Sequence, residues 1–338
     1  MLAGSKMKTS NTVKHLGDYI STSLANSVQV TVNKRVGISN HSVYEIRSLI
    51  DDQRANALGG LSLSFLVWEM AVIPSLIHNS ENWLGINKKT INELEKIQLK
   101  HLRVSLAVGT GCPTPLLYAQ TGTLTMANRI IMKKLLFLYH VASLPVGTIA
   151  RDLYESQLKH EDGVSSLVTE CAPFLREFGI QNIRAFSKHQ YKTLIKKKIH
   201  ERNKSQLVEM SRKYKKIDFS EICEDNFKMK PYFKTLSTNQ ARWKFRIISH
   251  MTRLAMNYRN ERKFRDRGWL CLGCQGLPPP EGGGGVGASH DNQELEPALE
   301  TDEHLFQCRA GINKNLSRDE DLILFYQQVC ERRASFEE

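Results

Sequence analysis

Disulfide-grade cysteine, a secretory leader, internal repeats and acidic charge are all scarce or missing in this chain, and each shortage narrows what it can do. Seven cysteines in 338 residues, an odd number thinly spread, make no disulfide framework and point to a reducing, intracellular compartment, nucleus or cytoplasm. The opening MLAGSKMKTSNTVKHLG has no apolar core of the secretory type. Long apolar runs are also wanting. The one at 58–77, LGGLSLSFLVWEMAVIPSLI, is interrupted by Glu69, Pro74 and several serines, so a buried helix is expected there and no membrane partner. GTGCPT lacks the Gly-Lys-Ser/Thr of a phosphate-cradling loop, and Cys112 within it has no obvious base nearby, so it reads as a loop thiol. Acidic residues number 35 against 47 lysines and arginines, a net charge of +12. A balance this basic favours polyanionic partners, nucleic acid first.

What is present is mostly helical pattern. VKHLGDYIS near the start is a short strand-like run with almost nothing before it to pair with. From about 41 to 145 the pattern turns helical. In TINELEKIQLKHLRVSL, Thr90 and Glu93 have capping-box spacing, and Ile91, Leu94, Ile97 or Gln98, and Leu102 trace one face. GTGCPTP at 109–115 breaks that helix, and MANRIIMKKLLFLYHVASLP resumes a strongly apolar one that stops before Pro145.

Residues 184–216 are dense in lysine and arginine, with only Glu201 and Glu209 opposing. Their helical periodicity is weak and runs through Phe186, Tyr191, Leu194, Ile195 and Ile199. A second basic helix is expected at 241–267, with Trp243, Ile247, Met251, Leu254 and Tyr258 on one face and Arg242, Arg246, His250 and Arg253 beside them. Lys196, Lys197, Lys198, Arg242, Lys244, Arg246, Arg253, Arg262 and Lys263 are the candidate phosphate contacts. Tyr191, Tyr214, Trp243 and Tyr258 are candidates to stack on unpaired bases. RNA or single-stranded DNA is therefore the expected partner.

A Pro/Gly tract follows, GLPPPEGGGGVGASHDNQ, and the chain closes on SRDEDLILFYQQVCERR, where Ser317 and Glu320 have capping-box spacing. Around the tract stand Cys271 and Cys274, two residues apart, and His304 and Cys308, three residues apart. Each half has the spacing of a zinc half-site. Together they form a closed Cys-x2-Cys … His-x3-Cys set, which would hold a structural zinc with no open position for catalysis. The long gap between the halves does not forbid closure, whose entropic cost grows only logarithmically with loop length.

Taken in order, VKHLGDYIS, SLIDDQRANALGGLS, IHNSENWLGINKKTINELEKIQLKHLRVSLAVGTGCPTPLLYAQTGTLTMANRIIMKKLLFLYHVASLP and CLGC … TDEHLFQC resemble the C-terminal end of non-LTR (LINE-type) retrotransposon reverse transcriptases, over roughly residues 12–335. In that family a K-x-L-G strand closes the palm and a helical thumb follows, marked by a signature like NSExW, then LExxQ, LR and a TP…LY stretch. A basic helical region and a Cys/His knuckle close the protein.

The resemblance implies a mainly α fold: a palm-end β remnant over 1–40, a thumb-like bundle over 41–150, a basic helical region over 151–267, and a zinc knuckle with its insert and last helix over 268–338. It also implies that the two-metal carboxylates lie upstream, in a palm that is a possible partner. Asp51-Asp52 follows the K-x-L-G run and is preceded by Leu49-Ile50, so it reads as a solvated helix face and the chain is expected not to be an enzyme. Two alternatives stand beside a nucleic-acid-binding fragment: a protein-interaction module whose charge only solubilises it, and a decayed reading frame without stable function.

Overall fold

A computed structural model describes residues 12–15, 18–21, 24–51, 58–159, 165–214 and 228–249. The fold is mainly α-helical with a single two-stranded sheet among the described residues. The chain divides into two compact units, Met1–Thr235 and Leu236–Glu338.

The strand-like run near the start pairs with its own continuation. Strands β1 (Thr12–His15) and β2 (Asp18–Ser21) form an antiparallel hairpin in which Val13 faces Ile20 and Lys14 faces Tyr19. The hairpin is tied to the helix after it, because the amides of Tyr19 and Ser21 donate to the hydroxyls of Thr31 (2.8 Å) and Ser27 (2.7 Å).

That helix, α1, runs Leu24–Asp51, so the chain turns helical well before residue 41. Its N-terminal half, with VQVTV, reads locally as a strand, since valine and threonine favour extended backbone. Burial decides otherwise. Val28, Thr31, Val32, Arg35, Ser39, Val43, Ile46 and Ile50 are buried and recur at helical steps, three of them polar and invisible to an apolar pattern. Arg35 is held by Asp18 (2.6 Å) and stands 5.4 Å from the ring of Trp83; burial lowers its pKa, and Asp18 opposes that shift. Asp51 closes α1, and Asp52 lies outside the described residues.

The apolar run at 58–77 is helical and buried on one face. It comprises α2 (Gly60–Val67), a π-helical turn (Trp68–Val72) and α3 (Ile73–Leu76). Pro74 has no amide hydrogen to give the preceding turn, and the wider π turn lies directly before it. Leu61, Phe65, Trp68, Val72 and Leu76 are buried while Leu63, Leu66 and Met70 are exposed. The one acid in the run is answered: both oxygens of Glu69 accept from the guanidinium of Arg129. No helix among the described residues is long and apolar enough to cross a membrane.

Helix α4 (Lys88–Leu106) buries Leu94, Ile97, Gln98 and Leu102, the face expected of it. Its cap differs from the expectation. Asn87 is the N-cap and accepts from the amide of Thr90 (2.8 Å). The Thr90 hydroxyl is buried and donates to Gln29 (2.6 Å), and Glu93 pairs with Lys96 (2.8 Å). Asparagine caps at least as well as threonine, and capping from Asn87 adds three residues to the helix. The GTGCPTP break holds, with Cys112 buried. Helices α5 (Thr114–Thr121) and α6 (Met126–Ala142) follow, the latter capped by Thr125. Between them Gly122 sits at φ 66°, and a Cβ there would lie 2.4 Å from the amide nitrogen of Met229. Only glycine fits that position.

Residues of the LExxQ and TP…LY stretches converge in this core. Tyr118 donates its hydroxyl hydrogen to Glu95 and accepts from Gln98 (3.1 Å), while the second Glu95 oxygen accepts from the amide of Met126 (2.8 Å). Burial raises the pKa of the Glu95 carboxyl, and these hydrogen bonds oppose the shift. The three residues join α4, α5 and α6, so their role here is structural. Beneath the π turn, the ring of His101 stacks on Trp68 (centroids 4.1 Å apart, planes within 4°) and meets Phe65 edge-on. Neither His101 nitrogen has a hydrogen-bond partner, and burial lowers its pKa to about 3.

A short helix, Tyr232–Thr235, ends the first unit, and helices α7 (Ile149–Lys159), α8 (Leu167–Glu177) and α9 (Lys188–Ser211) precede it. With α6 they bury Leu135, Leu138, Tyr154, Cys171, Tyr191 and Ile195 in a common core. In the second unit the described structure is a helix, Thr238–Ile248, begun by Ser237 and Gln240, each of whose side chains accepts from the other's amide (3.3 and 2.9 Å).

Candidate nucleic-acid interface

Helix α9 carries the densest basic stretch of the described chain. It begins at a capping box, in which Ser187 accepts from the amide of Gln190 (3.3 Å) and Gln190 accepts from that of Ser187 (3.0 Å). Its buried residues are Tyr191, Ile195, Ile199, Asn203, Leu207 and Ser211, every fourth position without a break. Four residues turn the helix about 40° past a full circle, so this row winds through about 200° along its length.

The winding suits the neighbours. At the start, Tyr191 stacks on Tyr139 of α6 (4.6 Å) and donates to the carbonyl of Leu135 (3.3 Å). Further on, Asn203 accepts from the amide of Thr125 (3.1 Å) and the side chain of Asn128 (2.8 Å), at the other end of α6.

One position after each buried residue stands a second row: Lys192, Lys196, His200, Lys204 and, past Val208, Arg212, with Lys188 one step before it. Neighbouring members are about 6 Å apart along the axis. Lys188, Lys192, Lys196 and Arg212 are exposed; His200 and Lys204 are half-buried. Burial, with Lys196 and Arg129 adding to it, holds the pKa of His200 below its usual 6.5. At neutral pH the charge of the row therefore rests on the lysines and Arg212.

The three expected lysines separate. Lys196 and Lys197 are exposed and make no ion pair among the described residues, whereas Lys198 is half-buried and lies 3.4 Å from Glu201. Several other cations of the unit are ion-paired within it: Lys133 with Glu81, Lys134 with Glu170, Arg151 and Arg184 with Glu155, and Arg202 with Glu177. None of these acids pairs with Lys188, Lys192, Lys196 or Lys197 among the described residues.

In the second unit, Arg242, Lys244 and Arg246 are half-buried on the helix Thr238–Ile248, and each is engaged within the chain. Thr238, Ala241 and Phe245 are buried on that helix, with Ser249 just past its end. Trp243 is half-buried with the Arg246 guanidinium 5.3 Å from its ring centroid. An indole covered by a guanidinium tolerates partial exposure, while Phe245 has no polar edge to leave in water. Arg253, Arg262, Lys263 and Tyr258 lie outside the described residues, as do Cys271, Cys274, His304 and Cys308. Among the described residues no cluster of three or more metal-ligating side chains occurs.

One sequence-based expectation fails on geometry. Tyr191 is fully buried and cannot stack on a base. Its regular spacing with Ile195 and Ile199 is that of the core row, and the aromatic–cation alternation along the sequence reflects core and surface rows lying side by side. Tyr214, just past the helix, is 38% exposed and remains accessible. Lys188, Lys192, Lys204 and Arg212 were not singled out by sequence; the signal that finds them is a four-residue repeat of basic side chains one position behind the buried residues. Comparison with protein-family models, curated proteins and solved structures finds no match to this chain.

Proposed function

We propose that the chain is a nucleic-acid-binding C-terminal part of a retrotransposon-type reverse transcriptase, without chemistry of its own, that grips the phosphate backbone through α9. The observation that carries this reading is the row of exposed lysines at 188, 192 and 196, with Lys197 beside it, which have no ion pair among the described residues and stand at regular four-residue steps along one helix. Lysines in such a row neutralise phosphates and release counterions. They carry no base-edge readout, and with Tyr191 in the core, stacking contributes little along this helix. Zinc at Cys271, Cys274, His304 and Cys308, an intracellular location and the absence of catalysis belong to the same proposal; they rest on spacing, composition and motif order.

The test is fluorescence anisotropy with labelled RNA and DNA strands of unrelated sequence. Replacing Lys192, Lys196 and Lys197 by alanine is expected to weaken binding at least about tenfold, and by a similar factor on every strand. Unchanged affinity would make the row an ordinary solvated face. Weakening confined to one sequence would replace backbone contact by base readout.

A further inference from the structure

The basic row on α9 is interrupted at its centre by a histidine. His200 stands one four-residue step after Lys196 and one before Lys204, about 6 Å along the axis from each. A strand whose phosphates run from Lys196 to Lys204 must therefore pass it, and the half-buried ring is partly open to solvent. Helices α6 and α5 pack on α9. From α6 the guanidinium of Arg129 acts on the ring, and that group is already paired with Glu69. The ionisable group of α5 is Tyr118, whose hydroxyl is committed to Glu95. On α9 itself Lys196, Lys197 and Lys204 lie one turn away, and the adjacent Glu201 is set against Lys198. The setting is cationic. Burial first, then Lys196 and Arg129, hold the imidazole below its usual pKa of 6.5.

A phosphate on the row reverses that setting. It brings negative charge beside the imidazole and favours the protonated form, which makes the row an unbroken run of cations from Lys188 to Lys204. We propose that His200 is a further phosphate contact of α9, one that forms by taking a proton from the solvent as nucleic acid binds, so that binding tightens as the pH falls. The sign follows from linkage. The complex holds the proton more firmly than the free chain does. Affinity therefore rises as the pH falls through the higher pKa of the complex, and levels off below the lower pKa of the free chain. An imidazole that only filled space between α9 and α6 would titrate alike in both states and give no such rise. The inference rests on the proposed grip of phosphates by α9 and adds to it a side chain whose charge depends on the ligand.

Fluorescence anisotropy of the full chain at constant salt tests it, with a labelled uridine oligomer whose bases do not titrate in the range used. From about pH 7.5 to about pH 5 the wild-type affinity is expected to rise about three- to tenfold, and His200→Gln should show less than about half of that gain on a logarithmic scale. The acid sensitivity conferred by buried His101 is common to both chains and cancels in the comparison. NMR of the imidazole protons reads the same linkage without a substitution: the oligomer should move the His200 midpoint up by about 0.5 to 1 pH unit. A gain in His200→Gln equal to that of the wild type, or a His200 midpoint unmoved by the oligomer, overturns the inference and leaves the lysine row in place. Replacing Lys192, Lys196 and Lys197 by alanine separates the two claims. If that variant binds as the wild type does at about pH 7.5, the phosphate grip of α9 fails and the proton linkage falls with it.

Discussion

His101 gives the bundle a built-in sensitivity to acid that one substitution should remove. The imidazole is buried against Trp68 and Phe65, no group accepts or donates at either nitrogen, and its pKa falls from 6.5 to about 3. The unfolded chain takes up a proton near pH 6.5, while the folded one stays neutral down to about pH 3. Folding stability from this residue is therefore complete above 6.5 and lost as pH falls toward 3. Each pH unit in that window costs up to about 1.4 kcal/mol, or about 2 kcal/mol at pH 5. His101→Phe keeps the aromatic stack and cannot titrate.

Other groups also titrate across this range. Glu170, for one, is held below its usual range by hydrogen bonds from Gly85, Lys134 and Ser165, which outweigh its burial. The informative quantity is therefore the difference between wild type and variant, in which those contributions cancel, as does any packing cost of the larger ring. Urea unfolding at pH 7.5 and 5.0 should show the wild type losing about 2 kcal/mol more than His101→Phe between the two pH values. Parallel losses would refute the argument, and with it the neutral, unpartnered state of the buried ring.

Further outcomes follow from the same structure. Asn203→Leu leaves the Thr125 amide and the Asn128 side chain short of a buried acceptor, and should cost about 2–3 kcal/mol in chemical denaturation. Tyr191→Phe should cost about 1 kcal/mol, for the bond to Leu135, while leaving RNA affinity unchanged; a loss of affinity would restore Tyr191 as a stacking residue. The proposed zinc predicts one metal per chain by elemental analysis, lost in Cys271→Ser and His304→Ala, with the thermal melt of α1–α8 little altered by chelation; metal retained in both variants would dismiss that ligand set.

What the sequence made legible, and what it hid, divides along physical lines. The apolar faces of α4 and α6 were readable because each packs along a nearly straight seam, so buried residues recur near the helical period. α9 was read as weakly periodic because its buried row advances by four residues each time and winds around the helix, so no fixed side accumulates the apolar residues. Two of its six members, Asn203 and Ser211, are polar as well. The first half of α1 was hidden for a related reason, with Thr31, Arg35 and Ser39 filling core positions among strand-favouring valines. At the site, the region of basic charge was evident from composition, but which lysines remain unpaired was not. Lys198 and Lys197 are neighbours in sequence, and only their positions around the helix set one near Glu201 and the other in water.

The claim that phosphate contact through α9 underlies binding is tested most directly by the salt dependence of RNA affinity. Each phosphate contact contributes about 0.7 to 0.9 to the slope of log affinity against log salt. Removing Lys192, Lys196 and Lys197 should therefore flatten the wild-type slope by about 2 to 3, while Lys198→Ala, whose partner is Glu201, should leave it nearly unchanged. Equal slopes for the wild type and the triple variant would contradict the account, as would a loss in Lys198→Ala as large as in the triple variant.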